Sequence, residues 1–124
     1  MIAAPIAQLD GVRERYPGAS VHPASDGGYR LHVPGIVLPP GWSLSETSIW
    51  VVVPPGFPNL RPDCFFADVG LRLASGVEPA SSSIQPLDGT PLRWFSWHLS
   101  TWDGSRDGLV QYVRFVERRL SDVR

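Results

Sequence analysis

The chain has no lysine; all 11 of its basic residues are arginine. It therefore holds no side-chain amine for a Schiff base, a P-loop phosphate contact or isopeptide modification of itself. Cysteine is almost as scarce. Cys64 stands alone among 124 residues, which excludes an intrachain disulfide and makes a reducing compartment the simpler expectation. No apolar run of about 18 residues occurs, nor a basic-then-apolar leader. A cytoplasmic location without a membrane partner is expected. Charge of one sign is missing too. Eleven basic against 12 acidic residues give a net charge of -1, without the basic excess of a nucleic-acid or polybasic membrane-surface binder. The three histidines, His22, His32 and His98, show no metal-ligand spacing with Cys64, so no metal and no cofactor are expected.

Hydrophobic residues make up 43% of the chain, with 5 Trp, 5 Phe and 3 Tyr. That suffices for a core in one domain spanning residues 1–124. Proline is in excess, at 13 residues against a usual share of about 5%. Ile2, Ile6, Leu9, Val12 and Tyr16 recur at helical spacing and predict a first helix, weakened by Gly11 and stopped by Pro17-Gly18. Strands are expected at Ala19–His22 and, after the turn Ser25-Asp26-Gly27-Gly28, at Tyr29–Val33, with Gly35–Leu38 extending the second. Thr47–Val53 is apolar on both alternation faces after Ile49 and reads as a central strand covered on both sides. Asp63–Val69 is a fourth strand. Residues 70–92 read as a long irregular loop. A terminal helix starts after an N-cap at Asp103 or Ser105 and buries Leu109, Tyr112, Val113, Val116 and Leu120. Helices segregated from an antiparallel sheet make an α+β domain.

Between the third and fourth strands lies Val52-Val53-Pro54-Pro55-Gly56-Phe57-Pro58, followed by Arg61-Pro62-Asp63-Cys64-Phe65. This stretch resembles the ubiquitin-conjugating E2 (UBC) pattern of strand, Pro-Pro-x-Tyr-Pro, three residues, Pro, strand. More narrowly, the chain is similar to prokaryotic E2 family E. The residues that carry this are Leu38-Pro39-Pro40-Gly41-Trp42, the proline stretch, Leu71-Arg72-Leu73 and Arg93-Trp94-Phe95-Ser96-Trp97-His98. The resemblance implies a UBC-like fold: an N-terminal helix, an antiparallel four-stranded meander, a proline-rich flap and a C-terminal helix. It implies a place in a bacterial ubiquitin-like conjugation system beside a ubiquitin-like protein, an E1-like adenylating enzyme and a JAB-type peptidase.

An active E2 needs a thiol that accepts an acyl group. The resemblance places that cysteine in the long loop past the fourth strand, and this loop has none; the His-Pro-Asn triplet of the E2 pattern is missing as well. Cys64 comes too early, and because free cysteine is commonly buried, it is expected to be packed within the sheet. The leading expectation is an E2-like protein without a thioester cysteine, acting as an adaptor. The alternatives are an active enzyme using Cys64 or a loop serine, and an interaction module outside any conjugation pathway. Ser81, Ser82 and Ser83 lie where an E2 nucleophile would be sought, and Ser82 with His98 would form a nucleophile–base pair if the two met. Asp88 or Asp103 would then orient the imidazole. His98 itself is either a packing residue bonded to a carbonyl or an acid–base residue. Trp94 and Trp97 serve the core, the binding of partners, or both. The resemblance adds Pro55, Phe57 and Leu60 of the proline stretch as partner contacts.

Overall fold

A computed structural model describes residues 3–124. Helix α1 (Ala4–Arg13) leads into β1 (Ser20–Pro23), β2 (Tyr29–Val37), β3 (Glu46–Val53), β4 (Phe65–Ala67), β5 (Ser82–Leu87) and β6 (Thr90–Phe95), and α2 (Leu109–Ser121) follows. The strands form one antiparallel sheet in the order β1-β2-β3-β4-β6-β5. It has six strands where the sequence predicts four.

Of the two added strands, β5 and the first half of β6 lie inside the expected irregular loop. At their turn, Asp88 and Gly89 both have positive φ, 49° and 87°, as a two-residue hairpin turn requires to match the twist of its strands. Asp-Gly is the dipeptide that most readily supplies this geometry. The long loop is thus corrected to a shorter irregular stretch and a hairpin. Within that stretch Leu71 is fully buried, and Leu73 bridges to Trp42.

In β2 the strand continues through Pro34 by means of a bulge. Between the pairs Val33–Ile49 and Ile36–Thr47, two residues, Pro34 and Gly35, face the single Ser48, and Gly35 takes up the extra residue at φ 78°. Along β3, Ile49, Val51 and Val53 are fully buried, whereas Trp50 and Val52 remain half-buried. The expectation that β3 is covered on both faces is therefore corrected: one face is sealed and the other is open. The sealed face merges with Leu9 and Val12 of α1 and with Leu109, Tyr112, Val116 and Leu120 of α2 in one hydrophobic core.

Both helices differ in detail from their sequence patterns. In α1, Leu9 and Val12 point inward but Ile6 is exposed, and Tyr16 lies past the end. Ile2 falls outside the described residues. Gly11 lets α2 come close: a Cβ there would lie 3.0 Å from a methyl of Val110. Helix α2 is capped at Gly108 rather than at Asp103 or Ser105. The caps come from Gln111, whose Oε1 accepts the Gly108 N–H at 2.8 Å, and from Gln8 of α1, whose Oε1 accepts the Leu109 N–H at 2.7 Å. Gln8 reaches this site only because the helices pack together. Asp103 instead closes a local turn, accepting from the Ser105 backbone at 3.0 Å.

Candidate functional site

Strands β4 and β6 are antiparallel neighbours whose outermost pair is Phe65 with Phe95. Residues just before β4 and just after β6 must therefore emerge at one end of the sheet. Asp63 and Cys64 precede the first strand, and Ser96 and His98 follow the second. Because alternate residues of extended chain share a side, Ser96 and His98 face the same way.

His98 is the hub. Its Nδ1 lies 2.7 Å from Asp63 Oδ1 and 4.0 Å from Cys64 Sγ, and its Nε2 lies 3.2 Å from Ser96 Oγ. The ring and the carboxylate are largely open to solvent. Cys64 is half-buried and lies outside β4. This corrects the expectation that the only thiol is packed inside the sheet: the chain has not yet paired with β3 at residue 64, since that ladder begins at Phe65. Burial and the neighbouring Asp63 charge push the Cys64 thiol up, while the Trp97 backbone N–H and the Trp94 indole favour its thiolate. The first pair prevails. Behind the site, burial followed by the charges of Cys64 and Asp63 also pushes Tyr112 up, and its buried hydroxyl has no hydrogen-bond partner.

The proposed serine–histidine pair is not formed by the expected serine. Ser82 lies in β5, where its hydroxyl donates to Pro79 O at 2.7 Å. The serine beside His98 is Ser96. The orienting acid is likewise neither Asp88, which pairs with Arg30 at 2.9 Å, nor Asp103, but Asp63. Ser96 was legible as the i−2 neighbour of His98 on an extended chain. Asp63 was not, because its approach depends on which strands pair.

The candidate partner residues separate by exposure. Pro55 and Leu60 lie open to solvent, whereas Phe57 is buried, 6.2 Å from the Trp102 ring. Phe57 is thus corrected from a contact residue to a support. Trp102 Nε1 also donates to Pro58 O at 2.6 Å, which ties the proline stretch to the segment after β6. Trp94 is half-buried on the open face of the sheet. Trp97 stacks on Phe115 of α2, with the guanidinium groups of Arg119 and Arg124 each 5.5 Å from its ring. Leu60, Asp63 and Trp102 share the wall of an open cleft of about 720 Å³.

The model of prokaryotic E2 family E matches residues 18–123. The chain belongs to this family. A search of curated proteins and a search of solved structures each find no match. The α+β architecture, with a helix at either end of an antiparallel sheet, fits the E2-like assignment. In this E2-like protein, the stretch where the wider E2 pattern would carry its cysteine runs from Gly70 into β5 and contains no thiol. Among the described residues, no helix is long and apolar enough to cross a membrane.

Proposed function

We propose that the protein is a non-catalytic E2-like adaptor in a bacterial ubiquitin-like conjugation system, binding the ubiquitin-like protein, the E1-like adenylating enzyme, or both. One observation carries the reading. The imidazole nitrogen nearest the only thiol is engaged by Asp63 at 2.7 Å, against 4.0 Å to the sulfur. A general base has to lie within hydrogen-bond reach of the proton it removes, and here that position is taken. Exposed Pro55 and Leu60 beside the cleft, with Trp94 on the open face, supply apolar and aromatic contacts of the kind that anchor protein interfaces.

A second reading, an active conjugating enzyme, is favoured by the partial exposure of Cys64 and by the two N–H groups of Trp94 and Trp97 that favour its thiolate. One reconstitution separates the two. With the E1-like enzyme, ATP and the ubiquitin-like protein from the same host, the adaptor binds its partners but forms no adduct that dithiothreitol removes. Leu60→Asp weakens that binding at least about tenfold, as loss of an interface anchor does. An adduct that dithiothreitol cleaves and Cys64→Ser abolishes would establish the enzyme. Failure to bind either partner would place the protein outside such a system, as would recovery of neither partner from the host. The JAB-type peptidase of the same system is tested by adding it to the binding assay.

A further inference from the structure

The spacing of Asp63, Cys64 and His98 along the chain is not that of a metal site, yet β4 and β6 deliver them to one place. One carboxylate oxygen, the thiol sulfur and one imidazole nitrogen lie within 4.8 Å of one another. All three are Lewis bases. Nε2 of His98 faces Ser96 Oγ. In the metal-free chain the 2.7 Å contact is a hydrogen bond in which Nδ1–H donates to Asp63 Oδ1, so a proton bridges two of the three donors. A divalent cation that replaced this proton would meet all three donors.

We propose that this cation is a zinc ion held by Asp63, Cys64 and His98. The donor set selects the metal. Thiolate and imidazole suit a borderline-soft ion, whereas magnesium and calcium prefer oxygen donors throughout. The fit is close. Zinc bond lengths of about 2.0–2.3 Å in a tetrahedron set the N–O and N–S separations at about 3.4 and 3.6 Å. Asp63, whose side chain is 66% exposed, withdraws from Nδ1 by roughly 0.7 Å and the thiol closes on Nδ1 by roughly 0.4 Å to reach those values. The carboxylate–sulfur separation, within 4.8 Å in the free chain, closes to about 3.6 Å. On binding, the Cys64 S–H bond breaks, the sulfur electron pair forms the S–Zn bond and that proton leaves to solvent; the ring gives up its Nδ1 proton and takes one on Nε2, so it binds as the neutral tautomer. Ser96 accepts from Nε2–H and so fixes the tautomer that points Nδ1 at the metal. The fourth position is left to water or to a partner's side chain. The site does not depend on the adaptor reading, although a zinc-held thiol is closed to acyl transfer.

The test is titration of the reduced, untagged full chain with Co²⁺ and then with Zn²⁺. The expected result is one Co²⁺ per chain, with a thiolate-to-cobalt charge-transfer band that Zn²⁺ displaces. Cys64→Ser abolishes the band. Asp63→Asn and His98→Gln weaken Zn²⁺ binding more than tenfold, and Ser96→Ala by about tenfold. His22→Gln, on β1, changes nothing. Absence of the band, or a Zn²⁺ affinity that survives both Cys64→Ser and His98→Gln, would overturn the proposal. Nitrogen-15 shifts of His98 in the unmodified chain give a readout that does not depend on whether the variants fold. Nδ1 keeping its proton at equimolar Zn²⁺ would also reject the site. Either failure leaves the adduct and binding assays of the adaptor reading unaffected.

Discussion

Along β3, Ile49, Val51 and Val53 are fully buried, while Trp50 and Val52, one residue away in each case, stay half-open. The same division runs across the sheet. Directly opposed residues share a face, so Leu31, Val51, Phe65 and Phe95 form one row, and His32, Trp50, Phe66 and Trp94 form another. The first row packs under the helices. In the second, His32 stacks on Trp50 at 4.8 Å between ring centroids, and Phe66 is buried to 8% exposure with the two tryptophan positions directly opposite it. Identical backbone alternation thus yields a face that stores folding energy and a face on which every ring but that of Phe66 stays partly at the surface. Only the presence of α1 and α2 on one side distinguishes them.

Truncating the sealed face has the largest expected effect. Phe65→Ala leaves a cavity under α2 and lowers stability by about 3–5 kcal/mol in chemical denaturation. A loss below about 1 kcal/mol would show that this face is not the core. Arg93 sharpens the comparison from the other direction. It is fully buried, two of its guanidinium nitrogens have no partner, and its ion pair with Glu78 is long at 3.4 Å. Arg93→Met retains the volume and leaves behind a solvent-exposed Glu78 and a Ser82 hydroxyl that still donates to Pro79 O. The same denaturation should give unchanged stability, or a gain of up to about 2 kcal/mol. On the open face, Trp50→Ala removes cross-strand stacking and costs only about 1 kcal/mol. A cost as large as that of Phe65→Ala would erase the distinction between the faces.

The smallest effect concerns pH. Burial, with a lesser contribution from His22, holds His32 below the usual imidazole range, against an opposing pull from Asp68. The unfolded chain therefore binds this proton at higher pH than the folded one. Stability from His32 is complete above the ordinary imidazole range and is lost as pH falls through the depressed folded value. His32→Gln should flatten that part of the stability–pH curve relative to the parent chain. An unchanged slope would mean that the ring is not desolvated on this face.

These contrasts were unevenly legible. β2 and β3 could be read because a two-residue period with β-branched residues leaves little choice of structure. The β5–β6 hairpin was legible in principle through Asp88-Gly89, but the small and polar residues before it concealed the alternation. Pro86 and Pro91 face each other across that hairpin, where a proline would ordinarily argue against a strand. β5 tolerates this because it is the edge of the sheet. The cap of α2 was not legible at all, since Gln8 acts on Leu109 from the far end of the chain.

Local chemistry in the chain was enough to determine the family resemblance, the order of the principal strands and helices, the exclusion of disulfides and the prominence of His98. Which side chains surround that histidine was settled only by pairing β4 with β6, which brings residues more than thirty positions apart within bonding distance. Periodicity reports the face on which a side chain lies, because it follows from backbone geometry. It is silent on the neighbours waiting there, because these depend on strand order and helix packing across the whole molecule.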